Sequence, residues 1–189
     1  RTADIVGIDT LSFVSKTSYD KCIDDDERDI FILPKYINKM IENGWLGQKS
    51  GQGFYKKIEK GVIHSINLET LEYFSQNKMK FEGIRLAKEH TRKKDSFNAL
   101  LYSDDTAGNF IWDVTSQILL YCAKRLGEIT DDIISIDRAM KWGFGWNRGP
   151  FEIWDDIGLI KSTKRMQKNN IIFPEWLNQM LKFNNNQFY

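Results

Sequence analysis

A chain of 189 residues, 41% of them hydrophobic, is long enough for one domain or two small ones at roughly 100–200 residues per domain. Its 27 Lys and Arg balance 26 Asp and Glu to a net charge of +1, which excludes the basic excess of a nucleic-acid binder, and no apolar run approaches the ~20 residues that span a bilayer. Cys22 and Cys122 fit no metal-ligand spacing and read as reduced thiols of a cytoplasmic protein rather than a disulfide framework.

The chain opens on Arg1-Thr2-Ala3-Asp4, without an initiator Met, and enters an apolar-periodic segment at once. The expectation is a stretch cut from something longer, beginning in the middle of a repeat. Pro34 followed by Tyr36, Ile37, Met40 and Ile41 predicts a short amphipathic helix with the proline at its first position. Residues 53–58 and 62–66 flank Glu59-Lys60-Gly61 and predict a β-hairpin with glycine in the turn. Residues 67–103 are polar and mixed, a linker packed on the helices, with helices expected near Glu82–His90 and Phe97–Tyr102. A long helix follows from about Thr106 to Leu126, its apolar spacing carried by Phe110, Val114, Ile118, Tyr121 and Cys122, with Gly127 as C-cap. The next runs from about Asp131 to Trp142, capped by Thr130 or Asp131 and ended at Gly143. Pro150 at a first helical position, with Glu152 in the first turn, starts another, in which Phe151, Trp154 and Ile157 are expected to be buried.

These elements repeat. Ala3-Asp4-Ile5-Val6-Gly7-Ile8 lies over Trp154-Asp155-Asp156-Ile157-Gly158-Leu159 at an offset of 151. Pro34-Lys35-Tyr36-Ile37-Asn38-Lys39-Met40-Ile41 lies over Pro174-Glu175-Trp176-Leu177-Asn178-Gln179-Met180-Leu181 at an offset of 140, and the copies reach Phe54-Tyr55 and Phe188-Tyr189. Two ordered matches with nearly constant offset indicate a duplication with a deletion in the second copy. The division expected is a truncated first repeat over 1–58, a hairpin and linker over 59–103, and a second repeat over 104–189. The two copies are expected to pack together, since their helices are short for independent stability.

Side chains that could carry chemistry are sparse. Gly51-Gln52-Gly53 has neither the Gly-Lys-Ser/Thr of a phosphate loop nor the third Gly of a dinucleotide fingerprint, and reads as a turn into the hairpin. His64 and His90 have no ligand or base partner at a recognised spacing. The run Asp24-Asp25-Asp26-Glu27 lacks the alternation and central Gly of a calcium loop, and there is no Gly-x-Ser-x-Gly elbow. No catalytic, cofactor-binding or metal-binding residue is therefore assigned. For a CoA-type ligand, the basic candidates are Lys49, Lys56 and Lys57.

The most distinctive segment is Asp137-x-Ala139-Met140-x-x-Gly143-x-Gly145-x-x-x-Gly149-Pro150-Phe151-Glu152-x-x-Asp155-x-x-Gly158. It resembles the signature of the C-terminal domain of 3-hydroxyacyl-CoA dehydrogenases. Leu46-Gly47-Gln48-Lys49-Ser50-Gly51-Gln52-Gly53-Phe54-Tyr55 resembles the motif that closes that domain, and residues 1–9 resemble the stretch just after its Gly-Pro-Phe. The resemblance covers nearly the whole chain, most weakly over 59–103. It implies a mainly α fold of two degenerate helical repeats, like the C-terminal domain of 6-phosphogluconate dehydrogenase, with a small hairpin between them. It further implies a preceding Rossmann domain that binds NAD and holds the His and Glu that oxidise L-3-hydroxyacyl-CoA in fatty-acid β-oxidation. This part would then wall the acyl-CoA cleft without catalysing. Asp113 falls where the family's active-site Asn would stand in the second repeat, a departure that makes this repeat structural. The resemblance allows a fused enoyl-CoA hydratase domain and a homodimer. The alternatives are a stand-alone helical interaction module and a CoA-binding module.

Overall fold

In the computed structural model of the chain, residues 1–77, 79–183 and 186–189 are described. The chain divides into two compact units, Arg1–Lys78 and Met79–Tyr189. The fold is mainly α, with one small sheet.

The first unit begins with α1 (Thr2–Val6) and α2 (Ile8–Lys21), broken apart at Gly7, whose φ of 109° is available to glycine and strained for other residues. A 3-10 turn at Arg28–Phe31 leads to α3 (Lys35–Glu42), and a second at Gln48–Ser50 leads into β1 (Tyr55–Glu59), β2 (Val62–Ile66) and β3 (Tyr73–Ser75). The hairpin forms as expected, with Gly61 at φ 86°. It is widened into a three-stranded antiparallel sheet in the order β1-β2-β3. Tyr73 explains the third strand: its hydroxyl donates to the Gly53 carbonyl at 2.6 Å and its ring packs edge-on against Trp45. No local turn signal announces those long-range bonds. The core is Ile8, Ile37, Met40 and Ile66.

The second unit comprises α4 (Glu82–Glu89), α5 (Lys93–Leu101), α6 (Thr106–Arg125), α7 (Ile133–Phe144), α8 (Pro150–Ile157), α9 (Leu159–Lys168) and α10 (Glu175–Lys182). Asp105 joins three of these. Its carboxylate accepts from the Gly108 amide in α6 and the Gly83 amide in α4, both at 2.8 Å, and from the Ser103 hydroxyl, which lies behind α5, at 2.9 Å. Those bonds, the Gly108 one first, hold the Asp105 carboxyl below the usual carboxylate range.

Three local expectations are corrected. The buried residues of α6 are Gly108, Trp112, Ser116, Leu119, Cys122, Ala123 and Arg125; Cys122 is buried as expected, while Phe110 and Val114 face solvent. The small residues among them admit close neighbours, and apolar spacing alone does not register this. Helix α7 is capped by Asp132, whose carboxylate accepts from Ser135 N, and ends at Gly145 in the left-handed conformation, two residues beyond Gly143. Pro34 precedes α3 as its N-cap rather than starting it, because its ψ of 149° is extended.

The duplication is visible in the backbone. Gly158, at φ 87°, separates α8 from α9 as Gly7 separates α1 from α2, and Leu159 and Ile8 behind them are fully buried. Pro174 caps α10 with the dihedrals Pro34 shows before α3, and both helices have eight residues. Helix α9 is four residues shorter than α2 (10 against 14). The connector to the proline is seven shorter, five residues over 169–173 against twelve over 22–33. Together these account for the drop of 11 in offset. Tyr36 packs edge-on against Phe54 at 6.5 Å, as Trp176 packs against Phe188 at 6.2 Å.

Candidate functional site

The two distinctive stretches of the first unit, residues 1–9 and 46–55, meet at one carboxylate. Asp4 is nearly buried, and its two oxygens accept from the amides of Phe54 (2.8 Å) and Tyr55 (2.9 Å). The glycines make room for it. A Cβ on Gly53 would stand 2.5 Å from an Asp4 oxygen, and one on Gly47 would stand 2.4 Å from the Asp4 carbonyl oxygen. Ser50 ties the loop to itself, its hydroxyl accepting from Leu46 N and donating to Gln52 O. Lys49 reaches back to Asp9 at 2.6 Å. That pair, its hydrogen bond above all, lowers the Asp9 carboxyl.

The same clamp recurs in the second unit. Asp155 accepts from Phe188 N at 2.8 Å and from Tyr189 N at 3.1 Å. Here it is roofed. Asp137 on α7 is 2% exposed and accepts from Phe151 N (2.8 Å), Glu152 N (3.1 Å) and the Tyr189 hydroxyl (2.9 Å). It thus caps α8 and closes the clamp at once. Gly149 is required at the same place, since a Cβ there would lie 2.3 Å from Asp137. Burial first, and then the Asp137 carboxylate, drive the Tyr189 hydroxyl well above its ordinary value. Burial pushes Glu152 up, but bonds from Lys141 and Gly149 N outweigh it and leave that carboxyl low. Phe151 and Trp154 are fully buried and Ile157 is 3% exposed, as expected, and all three sit in the core of this unit.

In the first unit, among the described residues, the Tyr55 hydroxyl has no hydrogen-bond partner. Its ring meets the Arg1 guanidinium at 5.9 Å and borders a cavity of about 420 Å³ with Asp4, Ile5, Gln48, Lys57 and Ile63. Of the three lysine candidates, Lys57 lines this cavity, Lys49 is paired with Asp9, and Lys56 lies over the Tyr73 ring at 5.4 Å. Lys56 and Lys57, adjacent on β1, point to opposite faces of the strand.

Burial, and secondarily Asp137, push the Cys122 thiol up to about 11, so it stays protonated and non-nucleophilic at neutral pH. His64 sits in β2 opposite Ser75 and Lys56, and His90 is exposed at the end of α4. Among the described residues no cluster of His, Cys, Asp or Glu could hold a metal ion, and no helix is long and apolar enough to cross a membrane. The Gly51-Gln52-Gly53 loop does not fit a dinucleotide: the amides that follow it are taken by Asp4, whose negative charge occupies the place a phosphate would need.

Residues 1–57, which hold the whole Asp4 clamp, match the family described as 3-hydroxyacyl-CoA dehydrogenase, C-terminal domain. This stretch is similar to that domain. Over all 189 residues the chain is 48% identical to a probable 3-hydroxyacyl-CoA dehydrogenase of Bacillus subtilis, of which it covers 24%. It is 28% identical over 186 residues to a putative fatty acid oxidation complex trifunctional enzyme of Rickettsia prowazekii, covering 92% of this chain and 24% of that protein. It is 38% identical over 55 residues to a 3-hydroxybutyryl-CoA dehydrogenase of Mycobacterium tuberculosis, covering 29% of this chain and 18% of that one. The chain therefore spans about a quarter of the first relatives' length. No solved structure matches it significantly.

The sequence placed Asp137 at the head of the segment that ends in Gly149-Pro150-Phe151 and beyond, but not its role as the acceptor around which this turn is built. Its only local sign was an Asp on a helix just before a Gly-Pro helix start.

Proposed function

We propose that these 189 residues are the C-terminal helical part of an NAD-dependent L-3-hydroxyacyl-CoA dehydrogenase of fatty-acid β-oxidation, acting in the cytoplasm. In this reading they wall the acyl-CoA cleft and support assembly, while NAD and the reacting groups are held by an N-terminal domain outside this chain. A fused hydratase domain and a homodimer remain part of the proposal. The observation that carries it is the difference between the two clamps. The Asp155 clamp is covered by α7, and Asp137 takes its tyrosine hydroxyl. The Asp4 clamp has the same bonds and an uncovered tyrosine beside a cavity. Next to it Val6 is 54% exposed, where its counterpart Ile157 is 3% exposed. A helix of the α7 type, bearing its own Asp, would complete this surface in the longer protein. Lys57, on the wall of that cavity, is the lysine this reading places nearest a CoA-type ligand. The rival CoA-binding module loses support from Lys49, whose charge Asp9 already holds.

The test is NADH oxidation with acetoacetyl-CoA. The 189-residue chain alone should show none, and the intact polypeptide that contains it should turn over at a rate on the order of 10 s⁻¹, typical of enzymes. Turnover by the chain alone, or an intact polypeptide inert toward every 3-ketoacyl-CoA, would remove the reading.

A further inference from the structure

The second unit contains a pair of cavities that the dehydrogenase reading does not use. The inner one, about 250 Å³, is walled by Thr115, Ile118 and Leu119 of α6 together with Phe97, Trp146 and Ile153. The outer one, about 470 Å³, shares Phe97, Trp146 and Ile153 and opens among Lys93, Lys94 and Arg148. Their combined size is that of ligand pockets, which run ~300–1,000 Å³. Trp146 is half-buried, follows Gly145 with its left-handed φ of 68°, and lines both spaces together with Phe97 and Ile153.

The chemistry of the walls selects the ligand. Among the lining residues of the inner chamber, only the Thr115 hydroxyl and the Trp146 indole N–H are polar side-chain groups. A nucleobase placed there would leave ring nitrogens unpaired, at a cost that an alkyl chain does not incur. The mouth has the opposite character. Asp156 takes Lys94 at 3.3 Å and Arg148 at 3.1 Å, while Glu152 takes Lys141 at 2.9 Å and lies 3.6 Å from Arg148. Asp95, the other carboxylate near the start of α5, turns to Arg92 at 2.6 Å. Lys93 is exposed and has no carboxylate partner among the described residues. Across this network four cations (Lys93, Lys94, Lys141, Arg148) meet two carboxylates (Asp156, Glu152), a local charge of +2. We propose that this is a binding site for an anionic amphiphile, a linear acyl chain seated on Ile118, Leu119 and Ile153 with its anionic head against Lys93 and its neighbours. The proposal stands apart from the reading above: it holds or fails whether or not the longer protein is a dehydrogenase. The acyl anion could come as a free carboxylate or as a CoA thioester, whose phosphates would carry the charge.

The experiment titrates the 189-residue chain with decanoate, decanoyl-CoA, decanol and CoA, reading the Trp146 indole NMR signal assigned by its loss in Trp146→Phe. Decanoate, decanoyl-CoA or both should shift that signal, and the arm that binds more tightly identifies the source of the anion. Decanol should bind about tenfold more weakly than the better of the two, and CoA without a tail should leave the signal in place. From octanoate to dodecanoate affinity should rise about threefold to fourfold per methylene. Reversing the mouth with Lys93→Glu/Lys94→Glu, both exposed and outside the core, should weaken decanoate about tenfold. Thr115→Phe should abolish binding by filling the chamber, and if that variant does not fold, the chain-length series carries the same information. Equal binding of decanol and decanoate, a shift of Trp146 by CoA alone, a flat chain-length series, or no shift by any acyl ligand would overturn the proposal.

Discussion

The two units build one device in two surroundings. In each, an Asp of a short helix accepts the amides of a Phe-Tyr pair that closes the repeat. In the second unit the device is under a roof: Asp137 takes the tyrosine hydroxyl, and Phe151, Trp154, Trp176 and Phe188 fill the space with ring contacts between 5.0 and 6.4 Å. In the first unit Ala3 stands where Trp154 would, and Ile5 is 70% exposed. The difference teaches that the clamp and its cover are separable. Backbone-to-carboxylate bonds organise the loop, while aromatic burial supplies the stability around it.

The largest effect expected is on the roof. Asp137→Ala leaves two buried amides and a tyrosine hydroxyl without their acceptor, and should cost about 3–5 kcal/mol of the second unit's stability. Phe151→Ala should cost a similar ~3–5 kcal/mol, the range for a buried Phe. Denaturant unfolding measures both. In the intact polypeptide, the dehydrogenase activity proposed above should fall only in proportion to folded protein. An Asp137→Ala chain of undiminished stability would mean that the roof is ornamental and that the two clamps are equivalent.

A smaller effect separates the clamps themselves. Asp4→Ala should cost about 2–3 kcal/mol, because its carboxylate is nearly buried against Gly53 and accepts two amides there. Asp155→Ala should cost about 1–2 kcal/mol, since the Tyr189 amide it accepts is exposed. Amide hydrogen exchange at Phe54 and Tyr55, against Phe188 and Tyr189, reports each clamp separately. Should the order of the two costs reverse, glycine packing is not what tightens the first clamp.

The smallest effect is alkaline. The folded-state pKa of Tyr189 is raised above the ~10 of an unfolded tyrosine. Its contribution is therefore fully present below about pH 10 and is lost as pH rises through the folded value, while the unfolded chain ionises first. Tyr189→Phe should flatten the fall in stability above about pH 10 without changing its acid limb. An unchanged alkaline slope in that variant would place the tyrosine hydroxyl outside the roof's energetics.

Much of this architecture was legible from local signals. The hairpin followed from Gly61 between two β-type runs, α8 from Gly149-Pro150 with Glu152 in the first turn, and α3 and α10 from the spacing behind Pro34 and Pro174. Each depends on residues within a few positions of one another, and the duplicated order of such signals revealed the repeat. The third strand, the capping role of Asp105 across α4 and α6, and the roof role of Asp137 were not legible.

By itself, then, the sequence determined the helical class, the duplication and the family motifs, because backbone propensity, capping and hydrophobic period act over one or two turns. Tertiary structure alone decided which face of α6 is buried, why Gly47, Gly53 and Gly149 must lack side chains, and which carboxylate each Phe-Tyr pair meets. Those outcomes rest on bonds between residues 14 to 52 positions apart, and the chain carries no periodic trace of a partner at such distances.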